Sequence, residues 1–254
     1  MIEAVAEIAR EAGEILLRRL GKIGAVGRKT SSRDLVTEAD LASERAIVSR
    51  LRERFPGEAI RSEEEVHEEA GEGPVWYVDP LDGTINFVHG IPAFSVSIAR
   101  YVGGKPDLGI VYAPRLDELF AAQAGKGATL GGKRIRVSAT ATLEDALLAT
   151  GFPYRRGDLP DNNLENWNRL FLEVRGLRRI GAASLDLAWV ACGRFDGFWE
   201  MHLEPHDVAA GALLVREAGG LVTDFAGGED WLHGKRVVAS NGPLHASIRE
   251  RLRA

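Results

Sequence analysis

From Ile2 to Leu20 the apolar residues Ile2, Val5, Ile8, Ala9, Ala12, Ile15, Leu16 and Leu20 recur at helical spacing, which predicts an amphipathic helix. A second helix is expected from Thr37. Thr37 with Asp40 three residues on forms a capping arrangement, Ile47, Val48, Leu51 and Phe55 supply the apolar stripe, and Pro56-Gly57 ends it. Pro74-Val75-Trp76-Tyr77-Val78 then reads as a buried strand, and Phe94, Val96 and Ile98 alternate with serines as a half-buried one does. Gly103-Gly104, Pro114 and Gly131-Gly132 punctuate further short strands up to Val137, an antiparallel meander. The second half changes rhythm. It predicts a strand at Leu147 to Thr150, helices at Asn163 to Val174 and Ser184 to Cys192, and a strand at Phe195 to Trp199. A helix at Asp207 to Ala218, strands near Leu221 and Val237 and a last helix from Pro243 to Leu252 complete the chain. Helices packed on sheets throughout give an α/β (α+β) layered sandwich.

Composition narrows the class. The 254 residues suit one domain, 1–254, in two halves near 1–140 and 141–254, and 45% hydrophobic with 27% charged residues marks an ordinary globular chain. No apolar run approaches the roughly 18 residues of a membrane helix, and the acidic start Met1-Ile2-Glu3 to Glu7 lacks the basic region of a signal peptide. No membrane partner is expected. A net charge of −5 argues against a nucleic-acid partner. Cys192 is the single cysteine, so no intrachain disulfide forms; a cytoplasmic location is expected. Cys192 shares an apolar stripe with Leu185, Ala188 and Trp189 and reads as core.

The strongest chemical signal is Asp79-Pro80-Leu81-Asp82-Gly83-Thr84, directly after the buried strand. Pro80 stiffens the space between the aspartates, Gly83 admits close approach, and Thr84 opens a short helical segment whose N-terminus suits a phosphate. A phosphate beside two aspartates is repelled unless a divalent cation lies between them. Oxygen ligands without a His or Cys cluster select Mg²⁺ or Mn²⁺. A capped turn is the structural alternative. His202 and His206 have zinc-pair spacing, but Pro205 between them argues against one continuous helix; with His89 they receive no role.

Asp79 to Phe87, Pro205-His206-Asp207-Val208-Ala209-Ala210-Gly211 with Glu217-Ala218-Gly219-Gly220, Asp34 to Asp40 within Lys29 to Asp40, and Ser62-Glu63-Glu64 are the motifs that agree. This series, continued to Ala239-Ser240-Asn241-Gly242, resembles the inositol monophosphatase family over nearly the whole chain. The resemblance implies a layered αβαβα sandwich of the sugar-phosphatase type and two to three Mg²⁺ per subunit, with Mn²⁺ as a substitute. Glu63 and Asp79 with the carbonyl of Leu81 would hold the first ion, Asp79, Asp82 and Asp207 the second, and a third would lie near Glu63. Asp40 and Thr84 would orient the attacking water, with Glu63 also in the catalytic set. Gly83, Thr84, Gly181, Ala182, Ala183, Glu200 and Asp207 would meet the substrate, and Lys29 would steady the metal region. A loop at Gly24 to Arg33 would close over the site.

Each position has a structural reading beside the functional one. Asp40 and Asp207 could simply open their helices, Glu63 lies in a solvated acidic run that continues to Gly73, and Gly181-Ala182-Ala183 could be a tight turn capped by Ser184. His206 stands where the family usually has tryptophan, and Ile85 where it commonly has threonine; neither removes a ligand. The implied function is Mg²⁺-dependent hydrolysis of inositol-1-phosphate, with fructose-1,6-bisphosphate, then histidinol phosphate or nucleotide 3′-phosphates, as alternatives, and a non-catalytic regulatory role as a different class. The substrate class is a small phosphorylated polyol or sugar; a homodimer and Li⁺ inhibition are also implied.

Overall fold

The computed structural model describes residues 1–22, 26–28, 35–69, 71 and 73–253. Lys29, Asp34 and most of the 24–33 loop lie outside them. The part described, β1 (Val26–Arg28), is a strand paired antiparallel with β2 (Leu35–Thr37).

Helix α1 (Ile2–Arg19) buries Val5, Ile8, Ala9, Ala12 and Leu16, the stripe its spacing predicts. Helix α2 (Glu38–Arg54) begins at a true capping box. Thr37 Oγ1 accepts from the Ala39 N–H at 3.1 Å, while Asp40 Oδ2 accepts from the Thr37 N–H at 2.8 Å. The two helices pack together on one face of a seven-stranded sheet. Its strands run in chain order: β3 (Ala59–Ser62), β4 (Val75–Asp82), β5 (Ser95–Val102), β6 (Lys105–Ala113), β7 (Glu118–Gln123), β8 (Gly127–Leu130) and β9 (Lys133–Arg134). All neighbours are antiparallel except β3 and β4. The short helix α3 (Thr84–Val88) comes directly after β4.

The second half holds β10 (Leu147–Thr150), α4 (Leu164–Phe171), β11 (Gly176–Arg178), α5 (Ala183–Ala191) and β12 (Gly197–Met201). Then come α6 (Pro205–Glu217), β13 (Leu221–Thr223), β14 (Arg236–Ser240) and α7 (His245–Arg251). Five strands form a mixed sheet in the order β11-β10-β12-β14-β13. Helices α5 and α6 pack against both sheets, while residues of β10, β12 and β14 on the far face share a core with Leu170 of α4 and Ile248 of α7. The layers are therefore αβαβα, as the resemblance implies.

Strand β4 explains why its sequence reads as a continuous apolar run. Val75 and Tyr77 face the core shared with α5 and α6, and Trp76 and Val78 face the core shared with α1 and α2. A strand covered on both faces has no polar alternate positions to display. The predicted helix at Asn163 to Val174 ends earlier, at Phe171, and the nearby Gly176–Arg178 becomes an edge strand. No described helix is long and apolar enough to cross a membrane.

Candidate active site

The two aspartates of β4 are three residues apart, and in a regular strand they would point to opposite faces. The pairing with β5 shows how they are brought together. Asp79 pairs with Ser97 and Asp82 with Ser95, so three steps on one strand oppose two on the other. The extra residue is a bulge at Pro80-Leu81, and a one-residue bulge reverses the facing of the strand beyond it. Proline, with no N–H to leave unpaired, suits that position.

Around this bulge each candidate has an anchor. Asp79 Oδ1 accepts from the Leu81 N–H at 3.0 Å, and the Asp79 carboxyl shares a side-chain hydrogen bond with Glu63. The Ser43 hydroxyl of α2 donates to the Pro80 carbonyl at 2.8 Å. Thr84 Oγ1 lies 3.1 Å from Asp40 Oδ1 and 3.1 Å from the Leu81 carbonyl. Asp82 accepts from the N–H groups of Ala183 and Ser184 at 3.2 and 2.8 Å and from the Ser184 hydroxyl at 2.7 Å. Ser184 does not cap the turn before α5, contrary to the structural reading of Gly181-Ala182-Ala183; Ala182 is at the N-cap, without a side-chain bond. A carboxylate from another strand satisfies those N–H groups instead, where the helix dipole favours it. Asn86 donates to the Ala93 and Ile180 carbonyls at 2.7 and 2.9 Å, tying α3 to the chain entering α5. Gly83 has φ of 89°, and a Cβ there would lie 3.0 Å from the Ala93 carbonyl oxygen, so the position requires glycine.

Asp207 both opens α6 and faces the site. It accepts from the Glu204 N–H at 2.7 Å, and His206 Nε2 lies 3.7 Å from its other oxygen. His202 has φ of 63° after β12, so it and His206 do not share a helix, as Pro205 implies. Cys192 is half-buried against the core, and burial pushes its thiol up.

A cavity of about 450 Å³ opens between these elements. Glu63, Asp82, Gly181, Ala182, Ala183, Glu200 and Asp207 line it; Asp40, Asp79, Leu81, Gly83 and Thr84 are not among its lining residues and connect to them through the contacts above. Burial raises the Asp79 carboxyl well above its ordinary value, and Glu63, Asp82 and Asp207 push it further. Burial raises Asp82 to about 7 against the two lowering bonds from Ser184, and raises Glu200 to about 8 against Arg179. Asp207 is raised by burial and partly relieved by His206. Neither Asp79 nor Asp82 has a Lys or Arg ion-pair partner among the described residues. Acids gathered without a cation are destabilising unless protonated or metal-bound.

The donor set of carboxylates and one carbonyl fits a hard divalent cation in chemistry. In position, no three His, Cys, Asp or Glu side chains among the described residues converge tightly enough to enclose an ion as they stand. Asp82 and Asp207 are instead engaged with helix N-terminal N–H groups.

Sequence reasoning missed four contributors. Asp186, fully buried in the first turn of α5, has both oxygens without a hydrogen-bond partner among the described residues, and burial, then Glu200 and Asp82, holds its carboxyl well above the usual range. The signal was the one acid in a helix, Ala183–Ala191, that is apolar apart from it and Ser184. Glu44 is 1% exposed on α2, four residues after Asp40 and therefore on its face. Gly151 leaves room for the Glu200 carboxylate, and Arg179 lines the cavity mouth; neither had a sequence signal.

A family model described as the inositol monophosphatase family matches residues 1–254. The Nus factor SuhB of Pseudomonas aeruginosa is 46% identical over 247 residues, covering 95% of this chain and 91% of that protein. The Nus factor SuhB of Escherichia coli is 42% identical over 243 residues, with 95% and 91% covered. Among solved structures, the inositol monophosphatase of Anabaena superposes with a TM-score of 0.90 at 40% identity, covering 98% of this chain and 94% of that one. The extragenic suppressor protein suhB of Bartonella henselae does so with 0.91 at 42% identity, covering 98% and 96%. With motifs, backbone and a match from the first residue to the last in agreement, the chain belongs to the inositol monophosphatase family.

Proposed function

We propose that this protein is a Mg²⁺-dependent phosphomonoesterase acting on a small phosphorylated polyol, with inositol-1-phosphate as the leading substrate. The observation that carries the reading is the grouping of the buried acids Asp79 and Asp82 with the half-buried Asp207, each raised by desolvation and by the others or by Glu63. Such a group favours a bound divalent cation over any apolar or anionic ligand. Glu63, Asp79 and the Leu81 carbonyl would hold one ion, and Asp79, Asp82 and Asp207 another. Mg²⁺ bound there supplies a water of lowered pKa and neutralises the phosphate charge.

The chain's own groups do the positioning. The Thr84 hydroxyl, whose one hydrogen lies between the acceptors Asp40 Oδ1 and the Leu81 carbonyl, keeps its lone pairs free to accept from the attacking water while passing its own proton toward Asp40. Glu200, raised to about 8, is protonated at neutral pH and donates to a substrate hydroxyl. Gly181, Ala182 and Ala183 offer a wall without bulky side chains against which the polyol ring lies. On the same reading Li⁺ competes for a metal position and the protein works as a cytoplasmic homodimer.

The test is phosphate release from inositol-1-phosphate and fructose-1,6-bisphosphate, with and without Mg²⁺, for the wild type and Asp82→Asn. Magnesium-dependent release lost in the variant supports the reading, and the substrate ratio names the enzyme. A folded protein that releases phosphate from neither ester with Mg²⁺ overturns the choice of substrate. The bacterial relatives, known as Nus factor SuhB, favour a second reading, a Nus factor acting through a protein partner. Retention of that role in Asp82→Asn would separate it from catalysis.

A further inference from the structure

One turn of α2 touches three separate pieces of the site. Asp40 reaches Thr84, Ser43 reaches Pro80, and Glu44 reaches the loop that carries Glu63. The Glu44 carboxylate is 1% exposed and has no Lys or Arg partner among the described residues. Its bonds go to that loop: one oxygen accepts from the Ser62 hydroxyl and from the Glu64 N–H at 3.0 Å, the other from the Glu65 N–H at 2.9 Å. A buried carboxyl that accepts from three donors ties them together, and removing it would orphan two backbone N–H groups. On its other side the Glu63 N–H is bonded to the Val78 carbonyl at 3.0 Å. Glu63 is thus pinned between β4 on one flank and Glu44 on the other, with its side chain at the cavity wall and bonded to Asp79.

We propose that Glu44 is a positioning residue that sets Glu63 for divalent-cation binding by anchoring the Ser62–Glu65 loop. The proposal rests on the reading of Glu63 as a metal ligand. Glu44 touches neither cation nor substrate; it fixes the loop so that the Glu63 carboxylate is held at Asp79 before a cation arrives. Groups of this kind behind a ligand commonly change metal affinity by about 10- to 100-fold.

The experiment is Mn²⁺ binding to the full-length protein, monitored by the electron paramagnetic resonance of free Mn²⁺, for the wild type, Glu44→Gln, Glu63→Gln and the double variant. Glu44→Gln is expected to weaken the tightest class of sites by about 10- to 100-fold. In the Glu63→Gln background the same change should add less than about a factor of two, since its route to the metal is already gone. Glu44→Asp, which keeps the charge but shortens the reach, should recover part of the affinity. Unchanged binding in folded Glu44→Gln overturns the proposal, and so does an equal further loss in the Glu63→Gln background, which would mark a general effect on the fold. Should Glu44→Gln fail to fold, Ser62→Ala removes one donor and must show the same dependence on Glu63. A wild type that binds no Mn²⁺ overturns the metal reading itself, and this inference with it.

Discussion

The Asp82 carboxylate takes both the backbone N–H and the hydroxyl of Ser184, at 2.8 and 2.7 Å, and so closes the N-terminus of α5 from a neighbouring strand. Those two bonds oppose the effect of burial on Asp82, and the Ser184 hydroxyl also meets Ser95 at 2.9 Å. Replacing Ser184 by alanine should therefore raise the Asp82 pKa further above 7 and leave less of the ionised form for a cation at neutral pH. We expect half-maximal activation to need about tenfold more Mg²⁺ at pH 7, with the difference narrowing by pH 9. The cost to stability should be about 1 kcal/mol. A Mg²⁺ titration at the two pH values decides this; curves that coincide at pH 7 would remove Asp82 from the metal site.

Thr84 and Asp40 are 44 residues apart in sequence yet 3.1 Å apart through Oγ1 and Oδ1. If this contact orients the attacking water, the hydroxyl is essential and the methyl is not. Thr84→Ala should lower kcat by about 10²- to 10³-fold with little change in KM, whereas Thr84→Ser should stay within about tenfold of wild type. Equal loss in both variants would assign Thr84 to packing.

Much of this architecture was readable in the chain because its main signals are long. The α1 stripe, the Thr37–Asp40 cap and the doubly covered β4 each involve several residues that agree. What escaped is short or non-local. β3 has four residues and β11 three, two elements whose pairing with distant strands creates them. The bulge that turns Asp79 and Asp82 to one side is visible only once β5 is placed beside β4. Asp40 and Asp207 offered two readings, helix opening or site residue, and both carboxylates do cap their helices, with Asp207 also lining the cavity. Glu44 and Asp186 were overlooked for one reason: an isolated acid in a helix is ordinarily solvated, and only tertiary packing buried these two.

Gly151 and Glu200 make a further prediction. A Cβ on Gly151 would come within 2.1 Å of Glu200 Oε1, and the carboxylate, the free end of a flexible side chain, would be displaced. Gly151→Ala should cost little stability, within about 1 kcal/mol, because the side chain can swing into the cavity. Its effect should fall on substrate binding, with KM for the polyol phosphate raised about tenfold or more and kcat less affected. Glu200→Gln, which retains a donor at the same place, should be milder than Gly151→Ala. An unchanged KM in Gly151→Ala would take Glu200 out of the substrate contacts.

Without metal, the pH dependence of stability arises from two opposed sets of groups. Asp82 and Glu200 have folded pKa values of about 7 and about 8 against ordinary values of 3.8 and 4.5. A raised folded pKa means the folded protein holds protons the unfolded chain has released, so the stability these groups contribute is intact below about pH 4 and is lost as pH rises through 7 and 8. His245 works the other way. Burial, then Arg249, holds it at about 4 against an ordinary 6.5, so its contribution is present above 6.5 and is lost as pH falls toward 4. Above pH 6.5 only the acids act. Between about pH 4.5 and 6.5 two acids outweigh one histidine, so the Tm in chelator should fall from about pH 5 upward, most steeply just above pH 6.5, and lose roughly 5–10 °C between pH 6.5 and 8.5. Added Mg²⁺ should restore it most at the alkaline end, where the ionised carboxylates bind best. Calorimetry from pH 5 to 8.5, with EDTA or Mg²⁺, tests this. A Tm in EDTA that stays level or climbs between pH 6.5 and 8.5 would mean that these carboxyls are not held protonated together, and the electrostatic case for a cation between them would fail.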